Sequence, residues 1–476
     1  MAISANIVKS ASPQERNWHD VDAASVPASL LFRGQRRMEG ETYLTSGYGI
    51  RRALEAKPHG WERFGNAAIV TTPPRIKQVL VSPENGTPYL NTSQVFEPIP
   101  SPRKWLALGK TNAANQRFVS EGTILVMASA TVGRSIVATR QHENAIISHH
   151  FMRVTARDPQ VSGWIYGFLR SPQGQAMMSS SQYASIIRHI EPAHLNALPI
   201  PNVSPAIAAK FQRWMDAIID CRNQATRYRK DAEAAYETAL GAPVPPKSQI
   251  GFTVSSTELT ARRRRLEAAY HSPTARTILN AFARQQRLGD LVKRVWWQSR
   301  FKRAFGEAGM PYMSADDLFT TNPHQLKSIL VEGKKDIDEF LVQKNWIVMA
   351  CSGQIYGLNG SAMLTSEYHR GFFLSHDLIR IEPDPTKARP GYLLTALTHP
   401  TLGRPLVLRE AYGMSIPHLD PDDVAGIAIP RLNDQKESAI ADLAEKSAAK
   451  QAEAESQERD LAEAAGKVIS EFLMRE

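Results

Sequence analysis

The stretch PAIAAKFQRWMDAIIDCRNQATRYRKDAEAAYETAL, residues 205–240, reads as one long helix. Its apolar or small residues Phe211, Trp214, Ile218, Cys221, Ala225, Tyr228, Ala232 and Ala235 fall in alternating steps of three and four, the seam of a coiled coil. Such a stripe needs a partner helix. The comparable stretch runs from Asp434 to Leu473, where Ile440, Leu443, Ala454, Leu461, Ala464 and Val468 keep the same register. Ser447, Lys450 and Gln457 occupy its middle positions, so pairing is expected to be driven from the ends.

Nearly identical punctuation precedes the two helices. Tyr183 precedes His189 by six residues and Pro201 by eighteen, and Tyr412 precedes His418 by six and Pro430 by eighteen. Earlier landmarks recur in the same order. Arg36-Arg37-Met38-Glu39 with Tyr43 matches Arg264-Arg265-Leu266-Glu267 with Tyr270, and Pro88-Tyr89-Leu90 with Val95-Phe96 matches Pro311-Tyr312-Met313 with Leu318-Phe319. The apolar run Ile124–Ala128 ending in SATVG (129–133) matches Ile347–Cys351 ending in SGQIYG (352–357), and Ser148-His149 matches Ser375-His376. The offset drifts between 222 (127 to 349) and 229 (183 to 412), as duplication followed by loop insertion would leave it.

The fold class read from this is mixed α/β: two similar globular domains, each followed by a long helix, the two helices forming an antiparallel coiled coil. The boundaries are 1–204 for the first domain, 205–240 for the central helix, 241–251 for a linker, 252–431 for the second domain and 432–476 for the C-terminal helix. The linker GAPVPPKSQIG carries three prolines and two glycines and cannot continue a helix. Within each domain GTILVMAS and NWIVMACS read as strands, while SPQGQAMMSS and HPTLGRPLVL read as short helices.

At 476 residues two or more domains are expected. A net charge of +10 and a pI near 9.5 favour a polyanionic partner, nucleic acid first. Cys221 and Cys351 are the only cysteines and form no CxxC pair, which argues against a disulfide framework or a structural zinc site. No signal-like or membrane-spanning apolar run occurs, so a cytoplasmic chain off the membrane is expected.

On the paired turns, the later Tyr-to-Pro stretches SSSQYASIIRHIEPAHLNALPIP and REAYGMSIPHLDPDDVAGIAIP, and the two long helices, the chain resembles the specificity subunits of type I restriction-modification enzymes over nearly its whole length. Gln435 stands where that family commonly places a Gln at the helix start. The chain departs from the pattern at Ala130 and Ala184, where Gly is usual, in lacking a Gln at the first helix start, and in one inserted residue in the second turn. The resemblance implies two target recognition domains that read a bipartite double-stranded DNA site, with the coiled coil setting the spacing. It also implies partners: two methyltransferase subunits using S-adenosylmethionine and, optionally, a restriction and translocase subunit using ATP and Mg. This chain itself would carry no cofactor and no metal.

Two reading surfaces need a stiff spacer. At about 1.5 Å per residue, residues 205–240 would span roughly 54 Å, against about 34 Å for one DNA turn. The turns after the apolar strands are where side chains can leave the scaffold: Ser129, Thr131 and Arg134 in the first copy, Ser352, Gln354 and Tyr356 in the second. Arg pairs with guanine and Gln with adenine through two hydrogen bonds, so the copies are candidates for reading different bases, or else these are ordinary hairpin residues. Arg264, Arg265, Lys293, Arg294, Arg300 and Lys302 belong to the densest basic runs, fit for phosphate contact or for a solvated face. Trp296 and Trp297 suggest stacking for one and core for the other. The candidate seam residues are Phe211, Trp214, Ile218, Tyr228, Ile440, Leu443, Leu461 and Val468.

No Asn/Asp-Pro-Pro-Tyr/Phe motif, Walker A loop, GxSxG or clear nuclease cluster occurs. His149, His189, His376 and His418 recur in register without metal-ligand spacing and read as structural polar residues. The chain is therefore read as a recognition subunit without catalytic residues. The alternatives are a recognition subunit repurposed in another anti-phage defence system, or a standalone DNA-acting enzyme using His149, His150 or His376.

Overall fold

The seam residues fold into two long helices, Pro205–Ala239 and Asp434–Met474. The first opens on Pro205, whose missing N–H costs nothing at a helix start. It ends where Gly241 adopts φ +74°, the left-handed turn that lets Gly241 and Ala242 donate back to the carbonyls of Thr238 and Glu237. The computed structural model describes residues 26, 28, 40–75, 77–110, 114–183, 188–244, 251–260, 265–323, 326–333 and 336–475. The Arg36–Glu39 landmark, Ala184, residues 245–250 of the linker and Arg262–Arg264 lie outside them. No helix among the described residues is long and apolar enough to cross a membrane.

The chain divides into two units. One holds the described residues up to Phe96, Pro100–Asp220 and the chain from Ser456 onward; the other holds Glu97–Ile99 and Cys221–Glu455. Each unit thus owns one half of both long helices, the start of one with the end of the other, which makes their pairing antiparallel.

In the first unit an antiparallel sheet runs in the order Ala68–Thr71, Phe151–Ala156, Ile124–Met127, Ser135–Val137. Strand side chains alternate between faces. Ile124 and Val126 enter a core with Trp164, Phe168, Phe211, Met215, Ile218, Leu461, Ala465 and Ile469. Leu125 and Met127 enter another with Leu90, Val95, Phe96 and Phe151. Burial on both faces is why the run is uninterruptedly apolar. A second sheet joins Leu80–Val81, Lys104–Leu106, Thr87–Leu90 and Ile146–Ile147, the last two strands parallel.

The second unit repeats this plan. Its main sheet runs Val292–Trp296, Leu378–Pro383, Ile347–Ala350, Ala362–Leu364, and its smaller sheet ends in the parallel pair of Phe305–Met313 with Phe373–Leu374. Each unit seats its long helix on a short antiparallel ladder: Trp61–Arg63 with Pro199–Pro201, and Gln285–Arg287 with Ala428–Pro430. Trp164 Nε1 donates to the Pro201 carbonyl, and the Tyr392 hydroxyl donates to that of Pro430.

A buried arginine recurs at one position. Arg153 donates to the carbonyls of Phe151, Ile147 and Arg117, and Arg380 to those of Leu378, Leu374 and Phe340. Burial lowers the pKa of each to about 10, so both stay charged at neutral pH and tie a main-sheet strand to the end of the smaller-sheet strand before it.

The seam differs from its sequence reading in one row. Phe211, Ile218, Ile440 and Leu461 are buried, whereas Trp214, Tyr228, Leu443 and Val468 are half-buried flanks. The second row runs one residue later, through Met215, Arg222 and Tyr236 and through Ala444, Glu458 and Ala465. The helices also pack on helices of the globular parts, which widens the apolar face beyond a two-helix stripe. Nor is the polar middle left weak. Ser447 Oγ donates to the Ala225 carbonyl at 2.7 Å, Arg222 pairs with Glu455 at 3.8 Å, and buried Glu458 accepts from the Tyr166 hydroxyl at 2.6 Å and pairs with Arg170 at 3.3 Å. Buried charges are tolerable when paired and hydrogen-bonded.

Two glycines permit the helix contacts. A Cβ on Gly163 would lie 2.4 Å from backbone atoms of Phe211 and Gln212, and one on Gly391 would lie 2.5 Å from the Ala441 carbonyl oxygen. Gly163→Ala and Gly391→Ala are each expected to lower unfolding free energy by about 1–3 kcal/mol in denaturant titrations. Gly49→Ala, in an open position within the helix Ser46–Glu55, should raise it by up to about 1 kcal/mol.

Candidate nucleic-acid interface

In each unit the strand beneath the candidate turn ends by pairing with a loop far along the chain. Ala130 N donates to the Arg188 carbonyl and Ile190 N to that of Ala128, while Ser129 and Tyr183 both bridge His189. In the second unit Leu419 N donates to the Cys351 carbonyl and Gly353 N to that of Pro417, while Ser352 and Tyr412 both bridge His418. The recurring His189 and His418 therefore act through their backbones, holding turn and hairpin together.

The turns require left-handed backbone. Gly353 takes φ +114°, a conformation glycine adopts freely, but the matching residue of the first unit is Ala130 at φ +64°.

The candidate contacts divide. Ser129 is buried, with its Oγ 2.5 Å from His150 Nδ1, so it supports the turn and does not face a groove. Thr131 is half-buried, and Arg134 lies 3.9 Å above the Phe96 ring. Ser352 donates to Asp377 at 3.3 Å. Gln354 is exposed and donates to the Ser415 carbonyl, and Tyr356 is 71% exposed. Beside them Ile355, Met414 and Ile416 are also exposed apolar side chains, which the sequence reading did not select.

The basic runs also separate. Arg264 lies outside the described residues. Arg265 is a correction: it is buried, binds Glu267 and donates to the Glu410 and Ala411 carbonyls, leaving its guanidinium engaged inside the unit. Lys293 and Arg294 are exposed and pair with Glu382 and Glu339 at 3.3 and 2.9 Å, surface pairs of small energetic worth. Arg300 and Lys302 are exposed. Trp296 is buried against Trp346, and Trp297 is partly exposed.

Asp377 gathers much of this in the second unit: Ser352, Ser375 and Arg303 donate to it, and His376 lies 3.5 Å away. In the first unit Ser148-His149-His150 fills the same place, with the His149 and His150 rings 4.1 Å apart. Neither copy assembles a Ser–His–Asp relay: Ser129 bonds a histidine on which no carboxylate acts, and Ser352 bonds the acid and not the histidine. Burial, then the charges of His150, Arg117, Arg75 and Arg153, hold the His149 pKa down to about 4. Burial pushes the Cys351 thiol up to about 12, which leaves it an inert core residue at neutral pH. No group of three or more His, Cys, Asp or Glu suited to a metal occurs among the described residues.

No family model matches the sequence, and no curated protein matches it. Among solved structures the chain is similar to the S subunit of a type I restriction-modification system from M. genitalium: 13% identity, 89% of this chain and 99% of that one covered, TM-score 0.38. It is also similar to the HsdS subunit from Thermoanaerobacter tengcongensis, at 15% identity, 88% and 97% coverage and TM-score 0.27. A chain from a structure addressing complex assembly and conformational transition of the type I R-M system gives 16% identity, 87% and 98% coverage and TM-score 0.26.

Ala130→Gly is expected to hold or raise stability by up to about 1 kcal/mol and Gly353→Ala to lower it by about 1–2 kcal/mol, read from denaturant midpoints. A pH titration gives a second check. Burial holds His369, whose Nδ1 accepts from Ser366 N, down to about 4 from 6.5. The unfolded chain then binds more protons between those values, so this contribution is complete above 6.5 and lost as pH falls to about 4. His369→Gln should flatten stability against pH across that window, by up to roughly 3 kcal/mol.

Proposed function

We propose that this chain is a DNA-recognition subunit of the type I specificity kind, without catalytic residues of its own. Each unit reads one part of a bipartite duplex site. Partner adenine methyltransferase subunits bring S-adenosylmethionine and perform the chemistry, with a restriction and translocase subunit as an optional further partner. The spacing between half-sites we assign to the paired long helices, since a flexible link would leave it undefined.

The observation that carries this reading is a conserved scaffold with exchanged tips. Both units hold the turn by the same histidine-backbone bridge, yet present Thr131 and Arg134 in one and Gln354 and Tyr356 in the other. Reading two different half-sites asks for that combination. Glutamine pairs with adenine through two hydrogen bonds, and exposed Gln354, on exchanging its bond to the Ser415 carbonyl for a base edge, is our candidate for that contact; exposed Lys293, Arg294, Arg300 and Lys302 are our candidates for phosphate contacts. The net charge of +10 agrees with a polyanionic partner.

The purified chain is expected to bind duplex DNA with an affinity that falls steeply with salt, leaving the DNA unmodified. N6-methyladenine should appear only with a partner methyltransferase and S-adenosylmethionine. Gln354→Leu should cost about 1–3 kcal/mol at one base position and leave the other half-site unaffected, as read by binding to randomised duplexes. Methylation or cleavage by the isolated chain, or no duplex binding at all, would contradict the assignment. Mapping methylated positions in the source genome with the gene intact and deleted would identify the target.

A further inference from the structure

The duplication lets each unit serve as a control for the other, and their charges differ at one place. In the second unit the cluster around the loop Ser375–Asp377 contains its own acids. Arg303 pairs with Asp377 at 3.0 Å, and Glu339 lies close enough to act on the charge of buried Arg380. In the first unit every corresponding position is neutral or basic. His150 stands where Asp377 does, and Gln116-Arg117 stands where Glu339-Phe340 does, with the carbonyls of Arg117 and Phe340 accepting from the recurring buried arginine.

Arg117 is 0% exposed, and its three guanidinium nitrogens are buried without a hydrogen-bond partner among the described residues. The groups acting electrostatically on His149 are His150, Arg117, Arg75 and Arg153, and those on His150 are Arg75 and His189. None is a carboxylate. An uncompensated buried cation is expensive, and the guanidiniums of Arg153 and Arg75 around the same pair of histidines make it more so. Arg75 is exposed, and His149 and His150 are half-exposed, so the cluster opens to solvent on that side.

We propose that Arg75, His149 and His150, beside the buried Arg117, form an anion site for a phosphate group that the second unit, carrying Asp377, lacks. Resting on the DNA reading above, that phosphate is one of the duplex backbone, contacted by the first unit alone. The anion supplies the counter-charge that Asp377 and Glu339 provide in the other copy.

The test uses the full chain and two probes. With inorganic phosphate at fixed ionic strength against chloride, the thermal midpoint of the unaltered chain should rise. The rise should vanish in His150→Asp, which installs the second unit's own solution and keeps a partner for Ser129, and in Arg75→Ala, an exposed position. With duplex DNA, the slope of log K against log salt should fall by about one in each variant. A phosphate response lost in both variants, with the unaltered chain failing to bind duplex, would keep the anion site and overturn the DNA reading. Duplex binding with unchanged slopes, or no phosphate response, would overturn the anion site.

Discussion

Antiparallel packing of the two long helices is the constraint on which the rest depends. Because each unit takes the beginning of one helix and the end of the other, neither can complete its core from contiguous chain. Phe211 and Ile218 meet Leu461, Ala465 and Ile469 under the first sheet, and Ala232 and Tyr236 meet Ile440, Ala441 and Ala444 under the second. Gly163 and Gly391 set the closeness of that approach, and the Tyr166–Glu458–Arg170 cluster ties the last turns of the chain to a helix of the first unit. An offset of the helix would leave buried Glu458 without its partners, and an unpaired buried charge is strongly destabilising.

On this common frame the two units diverge in chemistry. Arg153 and Arg380 hold the same joint between the two sheets of each unit, and the same histidine-backbone bridge presents the two turns. What varies is the charge beside the joint and the side chains at the tips. On a duplicated scaffold the tips vary independently, because a substitution at one tip leaves the other's backbone support untouched.

Much of the fold was legible because duplication multiplies weak signals. The Tyr-to-His-to-Pro spacing, the apolar strands and the helix ends each have chance rivals, but their order repeats. The seam was half legible. A strict three-and-four stripe finds the row shared by both contacts, and it cannot reveal that globular helices draw Met215 and Ala465 inward in place of Trp214 and Ala464. Site residues were the least legible. Ser129 and Arg265 look like surface contacts by type, yet both bond inside the unit, through His150 and through Glu267 with two carbonyls. Arg117 had no motif around it. Its one signal was a pairing visible only once strands were aligned: arginine in one copy where the other has Phe340.

The most direct measurement is hydrogen exchange on a chain ending at Glu455, which keeps every globular strand and removes Leu461, Ala465, Ile469 and Phe472. If the C-terminal helix completes the first unit, amides of Ile124–Met127 and Phe151–Ala156 should lose protection while those of Ile347–Ala350 retain most of theirs. Unchanged protection throughout the first unit would contradict the account.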